Sequence, residues 1–223
     1  MNTIAIKSRI QNLNIVIGCT FNCPYCYARC NAKRYFMTDD FSVPQFYENK
    51  LRLLENKKPH TFLLTGMSDF ADWKSEWTGK VFEKIKANPQ NHFIFLTKRP
   101  EHIKFSCDLD NVWIGVTVTC KAELNRIQAL KENIKCKHYH VSFEPLHEDL
   151  SNIDFSGIEW TVIGTETGNR KGKISAKPEW VNSIVEQANA NGTIVFMKEE
   201  LAKILGDENM IQQFAPNLLH KEF

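Results

Sequence analysis

The sequence lacks a long apolar run and a large excess of charge of either sign. No segment approaches the ~18 apolar residues of a membrane-spanning helix. Met1 to Ile10 contain no long apolar segment, so a signal peptide is not expected. The formal net charge of +2 argues against a strong general affinity for polyanions. These absences predict a globular, cytoplasmic protein with no membrane partner.

Patterns typical of a zinc hydrolase or of a disulfide framework are also missing. The seven histidines form no H-x3-H or HExxH motif. Seven cysteines, an odd number in a chain of 223 residues, do not suggest a set of disulfides, and a reducing compartment is expected. No repeat, low-complexity tract or linker divides the chain. Residues 1–223 are therefore expected to form one domain.

Three of the cysteines, Cys19, Cys23 and Cys26, have the spacing C-x3-C-x2-C directly after the apolar run Leu13 to Ile17. Chance alone would produce this spacing roughly 0.007 times in such a chain. Thiolates so close in sequence can converge on one metal centre. A mononuclear zinc site normally needs four ligands, and no second C-x2-C pair follows. A [4Fe–4S] cluster held by three cysteines would instead leave one iron open to an exchangeable ligand.

Apolar runs and amphipathic stretches alternate in steps of roughly 25 to 35 residues, a pattern typical of parallel βα units. The pattern predicts an α/β fold with a parallel sheet, a partial (β/α)6-type, TIM-like barrel that has a candidate seventh strand. The open edge of such a barrel would admit a substrate laterally. The predicted strands are Asn14–Ile17, His60–Thr65, His92–Thr97, Val112–Val118, Tyr139–Phe143, Trp160–Ile163 and Thr193–Met197. The predicted helices are Ser42–Glu55, Ser75–Ala87, Lys121–Asn133 and Pro178–Asn191.

Polar residues follow nearly every predicted strand, and in parallel α/β sheets the chemistry gathers at these carboxyl ends. Beyond the cysteine loop, the candidates are Thr65 to Asp69, Lys98, Arg99, Thr117, Thr119, Cys120, Ser142, Glu144, Thr165, Glu166, Lys198 and Glu199. A backbone oxygen and a carboxylate near a glycine, as in Gly66 to Asp69, suit an ammonium group. Lys98 and Arg99 suit an anion, with a surface salt bridge as the alternative.

The C-x3-C-x2-C motif, with Tyr25 just before its last cysteine, resembles the signature of the radical S-adenosylmethionine superfamily. The resemblance implies a [4Fe–4S] cluster on Cys19, Cys23 and Cys26, with the cofactor S-adenosylmethionine on the open iron. It also implies reductive cleavage of that cofactor to a 5′-deoxyadenosyl radical, which abstracts hydrogen from a substrate. The implied partner is an external one-electron reductant such as a flavodoxin or a ferredoxin, and the cluster would be lost in air.

Four further segments resemble a narrower group, the radical SAM mobile pair protein A family. That family is related to phage-associated radical SAM proteins of unassigned substrate, and its name implies a paired second radical SAM protein. The segments are Leu64–Asp69, Phe95–Pro100, Ser142–Pro145 and Ile163–Gly168. The substrate implied is open between a nucleic acid and a peptide or protein.

The resemblance also implies roles for the residues at the strand ends. Gly66, Ser68 and Asp69 would hold the methionyl amino group, although Gly-Met-Ser-Asp departs from the superfamily's Gly-Gly-Glu-like segment. Tyr25 and the backbone of Gly164 would lie beside the adenine. The cofactor's ribose hydroxyls or carboxylate would be bound by Lys98, Thr117, Thr119, Ser142 and Glu144. For each of these residues the alternative is an ordinary structural role in a turn, a strand or a salt bridge.

Two cysteines outside the motif have candidate roles. Cys120, just past the fourth predicted strand, is a candidate hydrogen-atom donor to a product radical, or else a small apolar filler. Cys30 extends the motif to C-x3-C-x2-C-x3-C. As a fourth ligand it would close the site and make the chain a non-catalytic iron–sulfur or zinc-binding protein, the rival hypothesis.

Overall fold

Seven parallel strands form one curled sheet in the computed structural model, which describes residues 3–219. The strands lie side by side in the order of the sequence, and every neighbouring pair is parallel. They are β1 (Ile10–Asn12), β2 (Thr61–Leu63), β3 (His92–Thr97), β4 (Val112–Thr117), β5 (His138–Phe143), β6 (Trp160–Ile163) and β7 (Ile194–Met197). The predicted partial barrel is confirmed, including its seventh strand.

Helices follow the strands and cover the outer face of the sheet. The α-helices are α1 (Tyr27–Arg34), α2 (Ser75–Ala87), α3 (Asn125–Asn133), α4 (Pro178–Ala190) and α5 (Ala202–Leu205). The 3-10 helices are Ile6–Ser8, Glu48–Glu55, Phe70–Asp72, Pro100–His102, Lys121–Glu123, Glu199–Leu201 and Asp207–Asn209. Within residues 3–219, no helix is both long and apolar enough to span a bilayer.

Side chains alternate between the two faces of the sheet, as the pleat requires. One set, including Phe95 and Val141, packs in a large apolar cluster with helix residues such as Ile85 and Leu130. The other set, which includes Ile94, Trp113 and Trp160, forms a second apolar cluster inside the curl of the sheet. Both faces are therefore covered, which explains why the strands are continuous apolar runs.

The two ends of the described chain cover the edge of the sheet. Residues 211–213 run antiparallel to β7, and Thr61 Oγ1 in β2 donates to the Leu218 carbonyl at 2.9 Å. Ile4 N–H donates to Gln212 Oε1 at 2.6 Å, and Gln212 Nε2 donates to the Ile4 carbonyl at 2.8 Å. The lateral opening expected of a partial barrel is thus bridged by the chain itself.

The predicted position of the first strand is wrong. β1 is Ile10–Asn12, whereas Val16–Ile17 pairs antiparallel with Gln45–Phe46 in a separate two-stranded sheet. The chain leaves the main sheet after Leu13, whose N–H still bonds to the Leu63 carbonyl at 3.0 Å. The apolar run is buried in both arrangements, so hydrophobicity alone could not identify its partner.

The predicted helix Ser42–Glu55 is also wrong. Gln45–Phe46 is extended, and only Glu48–Glu55 is helical, as a 3-10 helix. Pairing with Val16–Ile17 fixes the extended part, and the ring of Phe46 stacks on Trp77 with centroids 5.7 Å apart. In addition, α1 was not predicted, because only Ala28 and Ala32 are buried along it and it has no apolar stripe.

Candidate functional site

The cysteine loop, residues 18–26, lies across the carboxyl end of the sheet. Gly18 N–H donates to the Met67 carbonyl at 3.0 Å, which joins the start of the loop to the segment after β2. The φ of Gly18 is +117°, and a Cβ there would meet the Pro44 Cα at 2.8 Å. Both the backbone angle and the close approach require glycine at this position.

The three motif thiols are half-buried, and two of them accept backbone hydrogen bonds. Cys19 Sγ accepts from Phe21 N–H at 3.4 Å, and Cys26 Sγ accepts from Arg29 N–H at 3.3 Å as the N-cap of α1. Burial raises the pKa of Cys19 to about 12, and it also raises the pKa of Cys23. Neighbouring thiols add to both increases, Cys23 for Cys19 and Cys26 for Cys23. Such thiols become thiolates most readily beside a metal cation.

No group of three or more histidine, cysteine, aspartate or glutamate side chains is arranged to hold a metal ion within residues 3–219. The cluster ligands therefore remain a prediction, based on the spacing and the chemistry of the three thiols. Cys30 lies one turn along α1 from Cys26 and is exposed, and all seven cysteines are free thiols.

An acidic side chain after β2 holds the loop at Thr20. Asp72 Oδ2 accepts from Thr20 N–H at 2.9 Å, and Asp72 Oδ1 accepts from Thr20 Oγ1 at 2.8 Å. Arg99 pairs with the same carboxylate at 2.7 Å and donates to Thr20 Oγ1 at 2.8 Å. Burial works against the charge of Asp72, but the bonds from Thr20 and Arg99 outweigh it and lower the pKa of Asp72. We call these three residues the Asp72 clamp.

The next loop residue, Phe21, is held by two guanidinium groups. Arg99 lies 5.7 Å and Arg126 lies 5.4 Å from the centre of its ring. Arg126 is itself fixed by Glu123 at 2.8 Å and by the Thr117 carbonyl at 2.8 Å. Arg99, just past β3, and Arg126, in α3, therefore hold the loop through cation–π contacts.

Tyr25 is packed among residues from three strand ends. Its ring meets His147 edge-on at 5.1 Å, and the Lys98 ammonium lies 5.8 Å from its centre. The hydroxyl bonds to Thr119 and lies beside Cys23, and burial raises the pKa of Tyr25. Burial lowers the pKa of Lys98, although the neighbouring Cys23 works in the opposite direction.

Asp69 is buried and bonded on both oxygens. Oδ1 accepts from Thr97 Oγ1 at 2.6 Å and from Ala71 N–H at 2.9 Å, while Oδ2 accepts from Lys98 N–H at 2.9 Å. Ser68 Oγ accepts from Trp73 Nε1 at 3.0 Å. These bonds tie the ends of β2 and β3 together. Contacts from Asp69 or Ser68 to a cofactor remain a prediction.

Gly66 lies next to several hydrogen-bond acceptors. A Cβ there would be 3.0 Å from Asn12 Oδ1 and 3.1 Å from Asn14 Oδ1, and the Asn14 oxygen is buried with no partner. The Gly66 carbonyl accepts from the Tyr27 hydroxyl at 2.8 Å. A buried acceptor without a donor is costly unless a ligand or a water supplies one.

Glu144 and Lys198 form an ion pair above Gly164. Lys198 Nζ lies 2.5 Å from Glu144 Oε1. Burial opposes the charge of Lys198, but the carboxylate outweighs it and raises the pKa of Lys198. A Cβ on Gly164 would be 3.0 Å from the Glu144 Cγ and 3.2 Å from the Lys198 Cδ. Glycine therefore leaves space for this pair.

The remaining predicted residues lie on or just past β4 and β5. Thr117 and Ser142 are opposite each other in the sheet register, and both are buried. Thr119 donates through Oγ1 to Glu123 Oε2 at 2.9 Å. Cys120 is half-buried where β4 ends, and burial raises its pKa. The structure thus gathers the predicted residues at one end of the sheet.

A family model described as "Protein of unknown function (DUF5131)" matches residues 5–205. The chain belongs to the DUF5131 family. No curated protein matches it.

Solved structures show which fold this DUF5131 protein has. It resembles a spore photoproduct lyase with a Tyr-to-Phe substitution at a TM-score of 0.56 and 11% identity, over 82% of this chain and 75% of that chain. A Cys-to-Ala mutant of spore photoproduct lyase with a dinucleoside spore photoproduct gives 0.53 and 12%, over 84% and 76%. At such identities the likeness shows the fold alone, and that fold is the parallel half-barrel described above.

The side chains described above suit an iron–sulfur cluster and an amino-acid ligand in their chemistry. Three thiols on one loop, two of them accepting N–H bonds, suit an iron–sulfur cluster. The unpartnered Asn14 oxygen beside Gly66 suits the ammonium of an amino acid.

Sequence reasoning missed most of the residues that position the loop. They are Thr20, Phe21, Asp72, Glu123, Arg126 and His147. Asp72 and Arg126 belong to no sequence motif. Their partners in the loop are distant in sequence, so local patterns could not indicate the contacts. The one available signal was that Asp72 follows a strand end, as the predicted residues do.

Proposed function

We propose that this DUF5131 protein is a radical S-adenosylmethionine enzyme whose [4Fe–4S] cluster is bound by Cys19, Cys23 and Cys26. When bound, the cluster and S-adenosylmethionine together supply a 5′-deoxyadenosyl radical that abstracts a hydrogen atom from the substrate. The carrying observation is that the C-x3-C-x2-C loop lies across the carboxyl end of a seven-stranded parallel half-barrel.

The protein's own residues would bind and orient these groups. The Asp72 clamp and the Arg99 and Arg126 contacts to Phe21 would keep the thiol loop in place. Asn14, beside Gly66, would accept from the methionyl ammonium, and Lys98 would offset a carboxylate charge. Buried side chains such as Thr117 and Ser142 would exclude water and bind ribose hydroxyls.

Other parts of the proposal follow from the resemblance described above. An external reductant of the flavodoxin or ferredoxin type would supply the electron, and a paired second radical SAM protein is a candidate partner. Cys120 is the proposed hydrogen-atom donor if the product radical needs one.

Anaerobic reconstitution tests the proposal. The chain is reconstituted with iron and sulfide and then given dithionite and S-adenosylmethionine, and release of 5′-deoxyadenosine is measured by chromatography. We expect release from the native chain, loss of release in Cys26→Ala, and release in Cys30→Ala. Cys30 is the matched control because it lies one helical turn away and is exposed.

The opposite result would support the closed-site rival. If Cys30→Ala loses its iron, and the native chain holds iron but releases no 5′-deoxyadenosine, Cys30 is a fourth ligand and the proposal is wrong.

A further inference from the structure

The end of α1 carries an aromatic residue in an unfavourable backbone conformation. Phe36 has φ +52°, in the left-handed region, and its side chain is 94% exposed. The other described residues with positive φ, apart from glycines, are Asn22, Asn152 and Asn217. Asparagine tolerates this region, whereas a bulky residue does so at a cost. Phe36 is therefore the exception among them.

The local hydrogen bonds explain why the backbone turns there. Met37 N–H donates to the Ala32 carbonyl at 2.9 Å, and Tyr35 N–H donates to the Asn31 carbonyl at 2.9 Å. The first is the 6→1 bond of a Schellman motif, which normally places glycine at the Phe36 position. Since an exposed ring adds no packing, the fold itself gains nothing from phenylalanine here.

Charged and aromatic residues precede Phe36 in the sequence. Lys33 and Arg34 are exposed, Tyr35 is 62% exposed, and the Arg34 guanidinium lies 5.4 Å from the centre of the Tyr35 ring. We call Lys33, Arg34, Tyr35 and Phe36 the α1 ridge. The segment 18–38 contains no acidic residue. Asp39 and Asp40 follow it, and the Asp40 carboxylate accepts from Ser42.

Helix α1 starts at the proposed site, and the ridge lies at its other end. Cys26 caps α1, and at ~1.5 Å per residue Phe36 lies about 15 Å further along the chain. Tyr27, 54% exposed, lies at the end of α1 nearest the site and bonds to the Gly66 carbonyl at 2.8 Å. Exposed aromatic rings therefore occur at both ends of one short helix.

We propose that the α1 ridge binds single-stranded nucleic acid, with a base stacked on Phe36 and phosphates against Lys33 and Arg34. Flexible, unpaired bases offer π-faces to exposed rings, and their backbone supplies the negative charge that the ridge lacks. A protein interface has a buried apolar core, whereas the ridge places two exposed cations directly before two exposed rings. The inference extends the proposed function by naming its substrate class, although binding itself needs no cluster.

Fluorescence anisotropy of the full chain with a labelled, mixed-sequence DNA single strand of about 12 nucleotides tests this proposal. We expect Phe36→Gly to weaken binding about five- to 150-fold, the range for one lost stacking contact. The same change should raise Tm by about 2 to 4 °C, because glycine relieves the left-handed strain. Phe36→Asn should behave similarly, and Phe36→Tyr should retain the affinity. Phe36→Gly would thus raise the Tm of the protein while it weakens the binding of the oligonucleotide.

A second experiment reverses the two positive charges of the ridge and measures how binding depends on salt. Lys33→Glu with Arg34→Glu removes two phosphate contacts and should reduce the slope of log affinity against log salt by about 1.4. The control, Lys57→Glu with Lys58→Glu, reverses two exposed lysines before β2, at the other end of the sheet, and should leave the slope unchanged.

Three outcomes would overturn the assignment. They are unchanged affinity in Phe36→Gly, equal effects of the two double reversals, and tighter binding to duplex DNA or anionic phosphatidylserine vesicles than to the single strand. If the protein binds the oligonucleotide but assembles no cluster, the proposed function is refuted, while the proposal that the ridge binds single-stranded nucleic acid still stands.

Discussion

The cysteine loop and the sheet beneath it are stabilised by different interactions. The sheet is covered on both faces by apolar side chains, with Phe95 and Ile85 fully buried on the outer side. The loop packs Cys19 and Cys26 against only a small apolar cluster. It depends in addition on the Asp72 clamp and on the two guanidinium groups against Phe21. The apolar core is stabilised by many non-directional contacts, so it is little affected by changes elsewhere in the chain. Each loop contact, in contrast, depends on a particular pair of groups. We therefore expect stability and site geometry to respond to separate mutations.

The largest effect on stability should come from the outer core. Ile85→Ala removes a fully buried side chain between α2 and the sheet and should lower the free energy of unfolding by about 2–5 kcal/mol. Ile85→Val should cost only about 0.5–1.5 kcal/mol. Urea denaturation measures both. Iron bound per folded chain should stay constant, and a parallel loss of iron would show that the two regions are not separate.

A smaller loss of stability, with a larger effect at the site, is expected for Asp72→Ala. The change leaves Arg99 and Thr20 without their acceptor and should cost about 1–3 kcal/mol. Retention of iron against a chelator should weaken about 10- to 100-fold, as for residues that orient metal ligands. Asp72→Asn should lie between Asp72→Ala and the native chain. If iron retention is unaffected, the clamp does not position the thiols.

The smallest expected effect, which appears only in acid, concerns a histidine inside the curl of the sheet. Burial lowers the pKa of His140 from its ordinary value of 6.5 to about 4. Between these values the unfolded chain binds a proton that the folded chain does not, so stability falls as pH falls. From pH 6.5 to pH 5 the loss should be about 1.5–2 kcal/mol.

The matched variant for this effect is His140→Gln. Urea denaturation across the same pH range should show a flatter profile, because the remaining histidines are common to both proteins. A profile as steep as that of the native chain would assign the pH dependence to other groups.

Local signals predicted the elements that have clear ends and one buried face. The bounds of β3, β6 and α2 agree with those expected, and Pro178 correctly begins α4. Periodicity of the apolar residues is enough for such elements, because any parallel βα arrangement buries them in the same way. The carboxyl-end position of the cysteine loop and of Thr117 and Ser142 followed from the same alternation.

Tertiary pairing decided the elements that were predicted wrongly. The apolar run Asn14–Ile17 is buried either in the main sheet or against Gln45–Phe46, and only the folded chain selects the second. The same pairing pulls residues 45–46 out of the helix predicted there. No local propensity distinguishes these alternatives.

The sequence by itself determined the alternation of strands and helices, the loop with three thiols and the end of the sheet where it lies. These features depend on neighbours within a few residues. Only the tertiary structure decided how that loop is held, since Thr20 meets Asp72 across 52 positions and Arg99 across 79. It also decided that Phe36 is both exposed and left-handed. Such contacts form because the sheet brings distant strand ends together, and that geometry is not encoded in any single segment.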